Sequence, residues 1–354
     1  MITISGTLSK GWMAKALGFK FDRGYYFDPQ RRYVIDCQCN DYAADKFPDV
    51  RLFYSESNLG QIDYWDQSQI VIGGIQPNMI LGMLLGAEFV PQDHCDADIS
   101  PGCLIGKNLD DLPDPTSLLD NELINLFDEQ IRQVQNDTQQ HLCPIPPFFW
   151  DTSGRATIHG LMTTAQKFLG EGIFMDMIAE PQRSLDIMGW IGDAYTVLCR
   201  HFARITDLPI TGVHVGECSA CMVGPDLIEK FVVPATSKIG KELGPLRLHS
   251  CGPSTNHLNA FSKIKNLISL DLGGDTSISK TREIFGNEML LSVSPLPQDM
   301  SAEKTDSILS WAKHIVEEND GGNLEVIYHA EASYNIDTIE ALTDFVKTLP
   351  DSQA

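Results

Sequence analysis

The sequence lacks any uninterrupted apolar run close to the roughly 20 residues that a bilayer-spanning helix requires. Its first ten residues also lack the basic segment followed by an apolar one that marks a secretion signal. No cluster of Lys or Arg interrupts the excess of 48 acidic over 26 basic side chains, which gives a formal charge of −22. Such a surface repels phosphate backbones and anionic lipid head groups, so we expect no nucleic-acid or membrane partner. These absences together predict a cytoplasmic protein.

The features of a disulfide framework are also missing. The chain has nine cysteines, an odd count, without a secretion signal. This usage is typical of reduced thiols, some of them available as metal ligands. The positions of the cysteines relative to the predicted strands therefore decide their interpretation.

No Gly-x-Gly-x-x-Gly follows the first predicted strand, which disfavours a dinucleotide-binding doubly wound sheet. Short β-branched apolar runs instead alternate with longer amphipathic stretches, as in parallel strands joined by helices. About eight runs qualify, namely 69–73, 87–90, 146–150, 210–215, 246–249, 267–272, 289–293 and 324–328. We therefore expect an α/β fold, a single (β/α)8 TIM barrel over residues 61–354. The aromatic-rich residues 1–60 read as irregular and are expected to form an N-terminal extension packed on the barrel.

In a barrel of this kind the chemistry lies at the C-terminal ends of the strands. His249 and Cys251 stand two residues apart at such an end, so their side chains point the same way and can hold one ion together. Zinc binds Cys thiolate and His nitrogen in a tetrahedral site, and a catalytic zinc keeps one position open. The alternative is a buried Cys beside a hydrogen-bonded core His.

The preceding predicted strand ends in Glu217, Cys218 and Cys221. Glu217 lies at the strand tip and is a candidate catalytic carboxylate, able to serve the metal site or the substrate. The Cys-x-x-Cys spacing lacks the second pair of a zinc knuckle and the helix context of a redox motif. Cys218 and Cys221 are therefore possible additional ligands or small packing residues.

Two further strand ends carry candidate residues. His329 and Glu331 share one face at the tip of the last predicted strand, and either could complete a zinc site with His249 and Cys251. A structural, hydrogen-bonded His is the alternative. Asp271 ends another strand and is a candidate for catalysis, for substrate binding or for holding a metal-bound His, although Asp before Gly also favours a turn.

The order of these motifs resembles the uroporphyrinogen decarboxylase superfamily, and within it the zinc-dependent corrinoid methyltransferases of the methylcobamide:coenzyme M methyltransferase type. The resemblance covers nearly the whole chain and is densest from Phe149 onward. Residues 151–181 are similar to a family segment that ends in an acidic turn, and Asp151 and Arg155 within it are candidate substrate-binding residues. The most specific match is His249-Ser-Cys-Gly252, because the family's His-x-Cys-Gly binds zinc in the methyltransferase branch.

In that branch a third ligand, a Cys, comes near the last strand, but this chain has no Cys after Cys251. The resemblance then implies that His329 or Glu331 substitutes, that Cys218 or Cys221 moves in, or that the site has been lost. Replacement of a thiolate by His or Glu would make zinc more electrophilic, which favours removal of a methyl group from a substrate.

The function implied by the resemblance is zinc-dependent methyl transfer between a small molecule and a corrinoid (cobalamin) carried by a partner protein. The small molecule would be a methylated oxygen, nitrogen or sulfur compound, or a thiol. One alternative is decarboxylation of a tetrapyrrole, although the Arg-Gln-Ala-Gly-Arg segment of the true decarboxylases is absent. The other alternative is a non-catalytic barrel that binds a corrinoid partner.

Overall fold

A curled parallel β-sheet surrounded by helices forms the centre of the fold in the computed structural model, which describes residues 1–50, 52–53, 68–137, 139, 141–350 and 352–353. The strands are β1 Ile2–Leu8, β2 Leu52–Phe53, β3 Gln69–Val71, β4 Phe89–Val90, β5 Asp98–Ile99, β6 Cys143–Ile145, β7 Arg155–His159, β8 Gly212–Gly216, β9 Leu246–Ser250, β10 Leu267–Gly273, β11 Leu290–Ser294, β12 Leu324–Ala330 and β13 Ser352–Gln353.

The helices run on the outside of this sheet or cover its ends. They are α1 Lys10–Leu17, α2 Arg23–Phe27, α3 Pro29–Lys46, α4 Pro77–Leu84, α5 Glu122–Asn136, α6 Leu161–Leu169, α7 Gly172–Ala179, α8 Pro181–Thr206, α9 Pro225–Leu227, α10 Val233–Leu243, α11 Leu258–Phe261, α12 Ile278–Phe285, α13 Pro297–Met300, α14 Asp306–Glu318 and α15 Ile336–Lys347. A 3₁₀ turn at Cys218–Met222 and a π turn at Ile228–Val232 follow β8. No described helix is both long enough and apolar enough to cross a bilayer.

The main sheet has the strand order β13-β1-β12-β11-β10-β9-β8-β7, with β2 also paired to β1, and every pairing in it is parallel. The sheet curls, because β1 and β7 from opposite ends of this order line one cavity. Strands β3 and β6 form a separate parallel pair. In the part of the chain that the structure describes, no parallel ladder joins that pair to β7 or β1. The predicted alternation of parallel strands and helices is confirmed, whereas a closed ring of eight hydrogen-bonded strands is not seen among the described residues.

The start of the chain differs from the expectation. Residues 2–8 pair along their whole length with β12, from Ile2 opposite Leu324 to Leu8 opposite Ala330, so they belong to the sheet. The expectation of an irregular start is therefore wrong for this stretch. The predicted boundary between residues 60 and 61 lies outside the described residues.

The longest helix illustrates how the sequence pattern places the core. Helix α8 begins at Pro181, whose ring fixes the φ angle of the first helical turn without costing a hydrogen bond. Ile187, Ile191 and Leu198 recur at helical spacing and are all fully buried. The apolar spacing over residues 181–205 predicts a helix, and the structure confirms it with an end one residue later. Helix α8 packs against the neighbouring helices α6, α7 and α10.

Candidate metal centre

The C-terminal ends of the parallel strands surround one cavity with a volume of about 620 Å³. This is the size of a typical small-molecule site. The strand-end residues that line it include Leu8 on β1, His159 on β7, Gly216 on β8, His249 on β9, Gly273 on β10, Ser294 on β11 and His329 on β12. The placement follows the rule used above, that side chains at the ends of such strands meet at one face.

Cys218, His249 and Cys251 come together in this cavity, and their ligand atoms all lie within 4.8 Å of one another. The register explains the meeting, because Gly216 on β8 pairs with His249 on β9. The chain then turns into the 3₁₀ segment after β8 and brings Cys218 beside Cys251. Two thiols and one imidazole form a donor set that suits zinc. No other group of this kind occurs among the described residues.

The two thiols of this group shift each other's pKa in opposite directions. A hydrogen bond from Cys218 and a second contact with His249 hold the pKa of the Cys251 thiol well below its usual value. The same contact with Cys251, together with burial, raises the pKa of Cys218. Because the thiolate is the form that binds metal, Cys251 is already in the ligating state at neutral pH.

His249 is held from behind by a buried acid. Its Nδ1 atom lies 3.0 Å from Oδ2 of Asp271, and the same carboxylate oxygen lies 3.2 Å from Nη2 of Arg247. Burial alone would raise the pKa of Asp271, but His249 and Arg247 outweigh it and keep that pKa well below the usual range. The contact through Nδ1 leaves Nε2 of His249 as the nitrogen that can face a metal. The sequence-based suggestion that Asp271 holds a metal-binding His agrees with this placement.

Arg247 continues the chain of contacts into the interior of the curled sheet. Its Nη2 atom donates to Oγ of Ser292 at 2.8 Å and lies 3.9 Å from Oε2 of Glu325. Ser292 donates in turn to Glu325 at 2.6 Å. Sequence reasoning did not single out Arg247, although its position two residues before His249 on the same strand places it on the same face.

His329 and Glu331 lie at the end of β12 and are not members of the Cys218–His249–Cys251 group. Nδ1 of His329 is 2.7 Å from Oγ1 of Thr7 on the neighbouring β1, and its Nε2 is 3.9 Å from Oε1 of Glu331. The structure therefore brings Cys218 into the position that sequence reasoning also offered to His329 or Glu331.

Cys221 lies beside the Cys218–His249–Cys251 group but is not a member of it. Its thiol donates to the backbone carbonyl of Cys218 at 3.2 Å. Its sulfur also fills the space beside Gly252, where an added Cβ would stand 2.8 Å from Sγ. A glycine is required at this position because any side chain would displace Cys221.

Glu217 occupies a different place from the one expected for a catalytic acid. It is fully buried, and its carboxylate accepts hydrogen bonds from the backbone N–H of Met162 and Thr163, at 3.1 Å each, and from Oγ1 of Thr163 at 3.0 Å. These groups form the N-terminus of α6, so Glu217 caps that helix. Burial raises the pKa of Glu217 to about 7 in spite of these bonds. In the described part of the chain it does not line the cavity.

Asp151 and Arg155, the candidate substrate-binding residues, pair with each other. Nε of Arg155 donates to Oδ2 of Asp151 at 2.9 Å, and Oδ1 of Asp151 accepts from the backbone N–H of Ser153 at 2.7 Å. These bonds close the turn that leads into β7. Neither residue is among the described residues that line the cavity.

Sequence reasoning did not identify two histidines that line the cavity. His159 ends β7, and burial lowers its pKa to about 4, so its imidazole is neutral at pH 7. The ring centroid of His214 on β8 lies 4.5 Å from that of Trp150 and 5.8 Å from that of His249. The available signal was the alternation along each short strand, which puts both residues on the inward face.

The chain is similar in fold to a protein of known structure. The fold is similar to a solved structure of a methyltransferase from Methanosarcina mazei, with a TM-score of 0.64 over 96% of this chain and 92% of that chain. Sequence identity is 13%, so the likeness is one of fold. No protein-family model and no curated protein matches the chain.

Proposed function

We propose that this chain is a zinc-dependent methyltransferase that moves a methyl group between a small thiol and a corrinoid carried by a partner protein. The observation that carries the proposal is the meeting of Cys218, His249 and Cys251 at the strand ends, with Asp271 behind the imidazole. The similarity in fold to a methyltransferase supports the same reaction class.

Each residue of the group has a defined part. Cys218 and Cys251 would supply two thiolates, and His249 would supply Nε2 while Asp271 fixes the orientation of the ring. A bound zinc would lower the pKa of a substrate thiol and hold it as a nucleophilic thiolate at neutral pH. The neighbouring walls contribute Phe149 and Trp150, whose apolar rings exclude water from the site.

The donor set changes the expected direction of transfer. Demethylation of a substrate was favoured because His329 or Glu331 was expected to replace a thiolate and to make zinc more electrophilic. With Cys218 and Cys251 both in the group, that reason no longer applies. Two thiolates make the metal electron-rich, which suits methylation of a bound thiol more than polarisation of a methylated oxygen or nitrogen.

The two alternatives have less support. A tetrapyrrole decarboxylase must bind several carboxylates, yet Lys10 and Arg32, the cavity's described Lys and Arg residues, already face Asp96 and Asp36. A barrel that only binds a corrinoid partner has no need of a complete set of metal ligands.

The same proposal has three further parts. They are membership of the uroporphyrinogen decarboxylase superfamily, a closed barrel with β3 as the eighth strand, and a cytoplasmic location.

Metal analysis and a methyl-transfer assay test the proposal together. The purified chain is expected to contain one zinc and to demethylate methylcobalamin, used as the corrinoid probe, in the presence of a thiol. Cys218→Ser should abolish both properties, while Cys103→Ser, which alters a thiol outside the cavity, should retain both. A wild-type chain that transfers the methyl group at the same rate after zinc is removed would refute the zinc-dependent mechanism.

A further inference from the structure

The cavity has a second polar region at the ends of β1 and β12, formed by Lys10, Asp96, His329 and Glu331. In the strand order β10 and β11 separate it from the β8 and β9 ends that carry the Cys218–His249–Cys251 group. Both regions line the same cavity. The proposed thiol chemistry takes place at the first region and leaves the second without a role.

The positive charges that line the cavity are already balanced. Nζ of Lys10 lies 2.6 Å from Oδ1 of Asp96, and Nε of Arg32 lies 3.1 Å from Oδ2 of Asp36. Arg32 also donates to the carbonyl oxygen of Gly74 at 3.0 Å. A substrate with an anionic tail would have to compete with these carboxylates for its partner.

Glu331 carries a negative charge that is not balanced by an ion pair of this kind. The basic group at ion-pairing distance in the described part of the chain is His329, 3.9 Å away. Burial lowers the pKa of His329, which reduces the positive charge that its imidazole can set against the carboxylate. The Glu331 side chain is 51% exposed, which leaves its oxygens accessible to a ligand.

An aromatic ring stands beside this carboxylate. Tyr334 donates its backbone N–H to the carbonyl oxygen of Glu331 at 2.8 Å and lines the same cavity. Burial and the Glu331 charge raise the pKa of the Tyr334 phenol. A carboxylate next to an aromatic ring is a favourable environment for an ammonium group.

We infer that the substrate carries a positively charged amino group, which Glu331 and Tyr334 bind in the same cavity as the metal centre. The thiol at the other end of the substrate rests on the proposed function, whereas the ammonium site rests on the charges of the cavity. The substrate class is therefore an aminothiol, and an anionic thiol such as a mercaptosulfonate or a mercaptocarboxylate is disfavoured.

The ammonium site is tested first without any thiol. Binding of hexylamine, hexan-1-ol and hexanoate to the full chain as purified is measured by titration calorimetry. Hexylamine is expected to bind at least about tenfold more tightly than hexanoate, the effect of one charge-assisted hydrogen bond. Glu331→Gln should abolish that preference. Glu340→Gln, which removes the same charge from the exposed face of α15, should keep it. Equal affinities, or a preference that survives Glu331→Gln, would overturn the inference.

A second measurement separates this inference from the proposed function. The chain is loaded with Co²⁺, and aminothiols of two to six carbons are compared with mercaptoalkanoates of equal length through the thiolate-to-cobalt absorption band. Aminothiols are expected to bind about tenfold more tightly. A thiolate band with equal affinities for both series would overturn the ammonium site and leave the proposed function standing. Selective binding of hexylamine without any thiolate band would support the ammonium site and count against the proposed function.

Discussion

Nδ1 of His249 lies 3.0 Å from Oδ2 of Asp271, a carboxylate that is completely buried. With Nδ1 beside Asp271, the imidazole can present Nε2 to Cys218 and Cys251. Arg247, 3.2 Å from the same oxygen, keeps Asp271 ionised. A carboxylate behind a metal-binding His is a common arrangement in zinc sites, because it raises the basicity of the ligand and fixes its tautomer.

Asp271→Asn should therefore weaken zinc binding without removing any ligand. The amide is neutral, so we expect zinc affinity to fall about 10- to 100-fold. Competition with a chromophoric chelator measures the change. Asp344→Asn is the matched control, since that side chain is 77% exposed on α15. An Asp271→Asn variant with wild-type zinc affinity would show that the contact does not support the metal centre.

The two cysteines after β8 should differ sharply in a zinc-content assay. Cys218→Ser removes a member of the Cys218–His249–Cys251 group and should leave the purified chain without zinc. Cys221→Ser alters a thiol that contacts only the edge of the group and should retain full zinc. His329→Ala should retain it as well. If His329→Ala loses zinc and Cys218→Ser does not, the third ligand comes from β12 instead of β8.

The parts of the fold that the sequence predicted are those with a strong apolar pattern. Helix α8 and strand β10 lie where the periodicity placed them. The predicted strand over 146–150 is wrong, because those residues form a turn and β7 begins after them at Arg155. Among the strands that the sequence did not predict, β1 and β7 have polar residues on the face toward the cavity, including Thr7 and His159. These polar residues interrupt the apolar pattern by which strands are predicted. The same residues supply the polar groups of the cavity.

The candidate site, like the fold, could be predicted only in part. His249 and Cys251 lie two residues apart on one strand, so local alternation alone put them on a common face. The third member of the group depends on how the chain turns after β8, which brings Cys218 across to β9. Nothing local in the sequence distinguishes that turn from one that would have left His329 closer to the metal.

Arg155→Ala should destabilise the protein without changing ligand binding. Asp151 is 1% exposed, and removal of Arg155 leaves its carboxylate buried without that partner. We expect the free energy of unfolding to fall by about 3 kcal/mol, measured by urea denaturation. Arg132→Ala, which removes a side chain that is 66% exposed, should cost less than about 0.5 kcal/mol. Loss of thiol or amine affinity in a folded Arg155→Ala chain would restore the predicted substrate-binding role of Arg155.

The pH dependence of stability should report on Glu217. Its pKa is about 7 in the folded chain against a usual value of 4.5, because burial disfavours the charged form. A carboxyl group with a raised pKa contributes stability that is fully present below pH 4.5 and is lost as the pH rises through 7. The shift corresponds to roughly 3 kcal/mol over that interval.

Glu217→Gln removes this titration, so the comparison of the two proteins isolates it. The Gln side chain keeps a carbonyl oxygen for one N–H group at the start of α6 and stays neutral at every pH. We expect the wild type to lose stability relative to Glu217→Gln between pH 5 and pH 8, measured by urea denaturation at fixed ionic strength. The same difference for Glu340→Gln should stay flat, because that carboxyl is exposed. A wild-type chain that instead gains stability over this range would mean that the N-terminus of α6 stabilises the Glu217 carboxylate by more than burial costs it.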